Sequence, residues 1–272
     1  MEYEKLFVFL RRYFLYTFLF SIPFLFLFFE EIMGKRATFN FWLASFIPQV
    51  LSFIFLCYKY HFFKKLKDCF LNSFLFDWKR VSLILIIAIC LPFLVIFINY
   101  VILKSIDINF SINQIYFKKT PIIFILTFCS ALIEELIFRF IPYELIPKRM
   151  NFKNIFIVNS IFCIAHIFNP NPNIIGLISI LLAGFLLTVI YLKTNNIIYS
   201  TLIHTFWNFI IGPILGGNVS GIYIGGVFSY KLCKSNILSG GNYGMEGSII
   251  SVILLFLFLL IVKKAFLNKN DE

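Results

Sequence analysis

Pro121-Ile-Ile-Phe-Ile-Leu-Thr-Phe-Cys-Ser-Ala-Leu-Ile-Glu134-Glu135-Leu-Ile-Phe-Arg139-Phe-Ile141 places two glutamates and an arginine inside a run that is otherwise apolar enough to cross a bilayer. A charged side chain at mid-bilayer depth costs about 2.5–3.5 kcal/mol on insertion scales, so these three need partners inside the protein. Two further apolar runs hold polar side chains in the same setting, Phe162-Cys-Ile-Ala-His166 and His204-Thr-Phe-Trp-Asn208. Between them they contain two of the three histidines of the chain. Ionisable groups in such positions point to function before they point to packing.

The rest of the chain fits that setting. Its residues are 60% hydrophobic, 38 are Phe, and the charges gather in short clusters, which leaves too little polar surface to coat a water-soluble core. Apolar runs long enough to span fall at 13–29, 38–57, 81–103, 121–146, 154–168, 174–192, 197–215 and 248–262. The expected fold is all-α, a polytopic bundle of eight transmembrane helices, because a helix satisfies its own backbone hydrogen bonds in lipid. No ten-residue alternation of a membrane barrel is present.

Lys and Arg set the expected orientation. Lys5, Arg11, Arg12, Lys59, Lys64, Lys65, Lys67, Lys79, Arg80, Lys148, Arg149, Lys153, Lys193, Lys263, Lys264 and Lys269 fall on one side, 16 in all. Lys35, Arg36, Lys104, Lys118, Lys119, Lys231 and Lys234 fall on the other, 7 in all. The bias places both termini in the cytoplasm of a multi-pass cell-membrane protein. It also reads the net charge of +11 as membrane topology, with no nucleic-acid partner and the lipid bilayer as the surroundings. The first run lacks a small-residue cleavage site and is expected to stay as a span. Six scattered cysteines without C-x-x-C spacing read as small apolar fillers.

The glycine-rich connection 216–247 is long enough to be either functional or disordered, and the charge bias puts it outside. Glu246 within it can either cap the last helix or reach the site from above, and the cap is the favoured reading. His61, flanked by Tyr60 and Phe62, reads as an interfacial residue without a site role.

The fourth span is expected to start with Thr120 as N-cap and Pro121 at the first helical position, to kink at Pro142 and to end at Pro147. Glu135 and Arg139 are four apart and share a face, whereas Glu134 points about 100° away. A carboxylate paired with arginine serves as a brace. One left unpaired in an apolar pocket is available to take a proton, so Glu134 is the expected general base. At ~1.5 Å per residue, Glu134 and His166 each lie ~18 Å from the cytoplasmic ends of their helices, and His204 and Asn208 lie ~10 and ~16 Å from Ile197. All four can share one layer. His204 and Asn208 are also four apart, and together they would offer an imidazole and an amide N–H to one developing oxyanion. Water, general base, orienting histidine and oxyanion donors make up a peptidase site without a serine or cysteine nucleophile.

These motifs, E-E-x-x-x-R, F-x-x-x-H and H-x-x-x-N on successive core helices, resemble the CPBP intramembrane proteases. That family is also called the CAAX protease and bacteriocin-processing (Abi) family, and its eukaryotic members are the type II CAAX prenyl endopeptidases. The resemblance covers roughly residues 120–262, with Gly244-Met-Glu-Gly-Ser248 similar to a stretch common in bacterial members. It implies that Glu134 and His166 activate water, that His204 and Asn208 stabilise the oxyanion, and that Glu135 and Arg139 support the site. It also implies a division into N-terminal spans (1–120), a catalytic core on the fourth, fifth and seventh helices (121–262) and a cytoplasmic tail (263–272). The implied substrate is an apolar or membrane-associated peptide, in peptide maturation or bacteriocin self-immunity.

Each motif alone has a plainer reading. Glu30-Glu31-Ile-Met-Gly-Lys35 shows that paired glutamates also occur at a membrane edge, where a solvated helix end suffices. His204 and Asn208 alone would serve as polar glue between helices. Glu134, His166 and His204 form an alternative donor set for zinc, but the chain has no H-E-x-x-H and Asn208 suits an oxyanion better than a metal. A cofactor-free glutamate peptidase is therefore the favoured reading. The rival classes are a non-catalytic immunity protein that sequesters a peptide and a proton-coupled transporter, the latter disfavoured by the lack of an inverted repeat.

Reporter fusions after the last helix and within 216–247 should give opposite signals, cytoplasmic for the first and external for the second. An external C-terminus would overturn the orientation.

Overall fold

The computed structural model describes residues 50–73 apart from 52, 56 and 60, together with 78–145, 152–233 and 236–265. The first expected span, most of the second, Glu30, Glu31, Pro147, Lys148, Arg149 and the end of the tail lie outside the described residues, so the count of eight spans is not decided by them.

Among the described residues the fold is a helical bundle. A short helix α1 (Phe63–Ser73) occupies the expected basic connection. The third span is α2 (Trp78–Phe97), continued by a π turn Ile98–Ile102. The fourth is α3 (Gln114–Glu135), a π turn Leu136–Phe140 and α4 (Ile141–Leu145). The fifth is α5 (Phe152–Ala165) with a 3-10 turn at His166–Phe168, and the sixth is α6 (Ile174–Thr194). The seventh is α7 (Ile197–Phe209) with a π turn Ile210–Ile214. A short helix α8 (Asn236–Ser239) precedes the last, α9 (Ile249–Ala265).

Four of these are long and apolar enough to cross a membrane: Val81–Ile102, Gln114–Glu144, Ile174–Thr194 and Ile197–Ile214. Phe152–Phe168 is shorter but also apolar. Large side chains such as Ile86, Phe93, Phe97, Ile122, Ile125, Phe156 and Ile178 stand exposed on these helices, as a lipid-facing surface requires and a water-facing one would not tolerate. This is a helical membrane protein.

The start of the fourth span corrects the sequence reading. Asn113 is the N-cap, its side chain accepting from the backbone N–H of Ile115 and Tyr116, and Pro121 lies inside the helix. Thr120 does not cap; its hydroxyl donates to the carbonyl of Tyr116 at 3.1 Å. An apolar run marks where a helix enters lipid, not where its first turn forms. Here Lys118 and Lys119 occupy an exposed helical extension ahead of the span. Near the other end, Pro142 follows the π turn Leu136–Phe140, so the expected disturbance takes the form of a wider turn that carries Arg139.

The packing centres on α6 and α7. α6 packs against α9 and α5, and α7 against α2 and α3. α5 comes close to α6 because residue 184 is glycine: a Cβ there would meet the Asn159 side-chain oxygen at 2.7 Å. Asn159 uses that oxygen to accept from the Thr188 hydroxyl at 3.2 Å and its amide to donate to the Ile155 carbonyl at 2.9 Å.

The connection 216–247 is ordered over its described part. Its strand β2 (Ser229–Leu232) pairs antiparallel with β1 (Ile106–Asn109), the segment after the third span, with Ile106 opposite Leu232 and Asn109 opposite Ser229. Alternation along β1 buries Ile106 and Ile108 in the main core, so this two-stranded sheet is held by the bundle and ties the connection to it.

Candidate active site

A cavity of about 130 Å³ opens among α3, the end of α5, α6, α7 and the connection 216–247, and Glu134, His166, His204 and Asn208 all line it. A single water needs about 10–15 Å³ of such space, so there is room for water and for part of a ligand. The four residues selected from three separate motifs thus meet at one place. The convergence follows from helix depth: three neighbouring helices each put a polar side chain at a similar distance along their axes.

Behind the cavity wall lies an ionic network. Arg139 and Glu135 are both fully buried, and the guanidinium Nη1 donates to Glu135 Oε1 at 2.8 Å. The guanidinium also sits 4.5 Å from the centre of the Phe162 ring and reaches toward the Gly184 carbonyl at 3.5 Å. Glu135 Oε1 accepts a second bond, from His204 Nδ1 at 3.0 Å. The expected brace therefore holds a site residue as well as the arginine. His204 is locked between helices by a carboxylate that is itself locked by arginine.

This bond fixes the histidine chemistry. A carboxylate only accepts, so Nδ1 of His204 carries its proton, and the neutral ring presents a bare Nε2 toward the cavity. His204 can therefore donate to an oxyanion only with a second proton on Nε2, which revises the expected picture of two neutral donors. The same reasoning holds for His166, whose Nδ1 lies 2.8 Å from the carbonyl oxygen of Phe162, leaving Nε2 as the acceptor of the neutral ring. Glu134 Oε2 stands 3.8 Å from His204 Nε2, outside hydrogen-bond range, and the Glu134 carboxylate accepts no hydrogen bond from a described residue.

Glu246 corrects the sequence reading a second time. The cap of α9 is supplied by Ser248, whose hydroxyl accepts from the Ser251 N–H at 3.2 Å and donates to the Met245 carbonyl at 2.7 Å. Glu246 instead turns into the cavity. It accepts from the indole N–H of Trp207 at 2.5 Å, and from the backbone N–H and hydroxyl of Ser220 at 2.5 and 2.7 Å. Burial pushes its carboxyl up from the usual carboxylate range, and the bonds from Ser220 and Trp207 work against that shift.

Sequence reasoning also missed Asn169, which is 2% exposed, lines the cavity, and has a side-chain oxygen without a hydrogen-bond partner. Its only sequence signal is its place three residues after His166. His61, as expected, is exposed in a turn away from the cavity. For the zinc alternative, no three His, Cys, Asp or Glu side chains are grouped to hold one ion among the described residues.

Glu134 and the imidazoles of His166 and His204 around one cavity in a helical bundle put acid–base groups together inside a membrane protein. Residues 116–210 match the family described as type II CAAX prenyl endopeptidase Rce1-like, a protease family and the one that the three motifs resemble. The matched segment holds all three motifs and ends two residues after Asn208. No curated protein matches the chain.

Glu135→Gln should lower both the yield and the melting temperature in detergent, because it leaves Arg139 buried without a counter-charge, a change that typically costs about 3–5 kcal/mol. A stable Glu135→Gln protein with an unchanged melting temperature would show that the pair does not hold the bundle.

Proposed function

We propose that this protein is an intramembrane endopeptidase that hydrolyses a peptide bond in an apolar or membrane-associated peptide. The observation that carries the reading is that Glu134, His166, His204 and Asn208 share one cavity, with Glu134 the acid there that no hydrogen bond to a described residue has committed. The family match over residues 116–210 supports a peptidase.

In the proposed reaction a water lies between Glu134 and the bare Nε2 of His166. As the water oxygen attacks the scissile carbonyl carbon, Glu134 takes one of its protons and the carbonyl π electrons move to oxygen. The Asn208 amide and the doubly protonated His204 ring donate to that oxyanion, while His204 Nδ1–H stays on Glu135. Collapse breaks the C–N bond, and Glu134 passes its proton to the leaving nitrogen, giving a carboxylic acid and an amine. Glu135 and Arg139 act through His204 by holding its ring.

Both termini are taken as cytoplasmic, with residues 121–262 as the catalytic core. A role in peptide maturation or bacteriocin self-immunity fits an apolar peptide substrate. A non-catalytic immunity protein would bind such a peptide without needing Glu134, and that difference is the test.

Glu134→Gln should keep the fold and lose turnover of an apolar peptide by about 10²–10⁴, the usual cost of removing a general base. A fully active Glu134→Gln enzyme would overturn the assignment, and a wild type that binds peptide without cleaving it would favour sequestration.

Turnover by the wild type should also survive exhaustive chelation. Activity that falls on removal of zinc and returns with stoichiometric zinc would replace this mechanism with one built on the alternative donor set.

A further inference from the structure

The cavity wall facing α7 comes from the connection 216–247, through Val219, Ser220, Ile222 and Ile224. Val219 and Ile222 exchange backbone hydrogen bonds at 3.0 and 2.9 Å, and the two residues between them, Ser220 and Gly221, both have positive φ, at 49° and 85°. This is a two-residue hairpin turn of the kind that needs left-handed backbone at both central positions. So short a hairpin has no stability of its own and depends on its ties.

The ties are specific. The N–H of Gly221 donates to the Tyr243 carbonyl at 2.8 Å. Gly221 packs so closely on the Pro170 carbonyl that a Cβ would collide with it, which seats the hairpin tip beside the segment that carries His166 and Asn169. Ser220 gives two hydrogen bonds to Glu246, and the same carboxylate takes the indole N–H of Trp207. Trp207 immediately precedes Asn208 and follows His204 by three positions, so all three ride on the same stretch of α7. A buried carboxylate with three donors costs far less than one without, and α9 has its own cap in Ser248, so helix capping does not explain Glu246.

We propose that Glu246 is a positioning residue, latching the Val219–Ile222 hairpin to Trp207 so that the hairpin forms the wall against which an apolar peptide lies beside His204 and Asn208. The proposal deepens the peptidase reading and rests on it. The apolar side chains of Val219, Ile222 and Ile224 then select the peptide side chains next to the scissile bond, and Glu246 acts through the hairpin and Trp207 that its oxygens hold.

The test uses the full chain in detergent with Glu246→Gln, and the milder Ser220→Ala in case the first fails to fold. Hydrogen–deuterium exchange at residues 218–224 reads the latch, as does Trp207 emission after Trp42→Phe and Trp78→Phe leave it as the only tryptophan. Affinity for a fluorescein-labelled peptide of leucine, phenylalanine and alanine, measured in a Glu134→Gln background so that nothing is cleaved, reads the wall. The expected result is exchange at 218–224 faster by about tenfold, a shifted Trp207 emission, and peptide affinity weaker by about tenfold, all with the helical content retained. With Glu134 intact, KM should rise more than kcat falls.

Unchanged exchange in both variants would overturn the latch. A lowered melting temperature with unchanged peptide affinity would overturn it too, because that is the result of a purely structural role. Should the parent fail to bind or cleave the peptide while Glu246→Gln still frees the hairpin, the peptidase reading falls and the latch stands.

Discussion

One oxygen atom connects the fold to the site. Glu135 Oε1 accepts from Arg139 at 2.8 Å and from His204 at 3.0 Å, in a region where both members of the ion pair are completely buried. Burying two charges carries a desolvation cost that their attraction repays only with good geometry and further hydrogen bonds. Here the further contacts go to the cavity wall and to α6: the imidazole of His204 on one side, the Phe162 ring and the Gly184 carbonyl on the other. α3 with its π turn, α5, α6 and α7 are therefore tied by the same few contacts that orient the histidine. Loosening the ion pair would loosen the site, and the two cannot be tuned separately.

Several irregularities of the bundle make that network reachable. In a regular helix Glu135 and Arg139 already share a face, and the π turn Leu136–Phe140 widens the backbone where the arginine sits. Gly184 lets α5 and α6 approach closely enough for the Arg139 guanidinium to lie near the Gly184 carbonyl while stacking on Phe162. A side chain at residue 184 would enter the space that Asn159 and Phe162 occupy. Small residues at close helix crossings are how membrane bundles gain packing without a hydrophobic driving force between helices.

What could be read in the sequence follows from which physical signals are local. Polar residues in apolar runs are conspicuous at any length of chain, so Glu134, His166, His204 and Asn208 stood out, and comparable depth along neighbouring helices brings them to one cavity. Helix starts were less legible: Asn113 caps a turn that precedes the apolar run, and the attractive Thr120-Pro121 pair lies inside the helix. The partner of His204 could not be read from spacing, because Glu135 and His204 are 69 residues apart and nothing in their local pattern couples them. The fate of Glu246 was hidden for the same reason. Its partners Trp207 and Ser220 lie 39 and 26 residues away, and the loop's own geometry, with two positive-φ residues at the hairpin tip, decides that it meets them.

The two carboxylates that line the cavity are chemically identical and differ only in what surrounds them. Glu246 has both oxygens engaged, one by an indole N–H and the other by a hydroxyl and a backbone N–H. Three donors on two oxygens hold that carboxylate in one place. Glu134 faces the same space with the Nε2 of His204 3.8 Å away, close enough to feel that ring and too far to be held by it. A group that must accept a proton and then release it needs this kind of freedom, whereas a group that must hold a wall in place needs the opposite. The placement of donors, more than the identity of the acid, thus separates the residue suited to chemistry from the one suited to architecture.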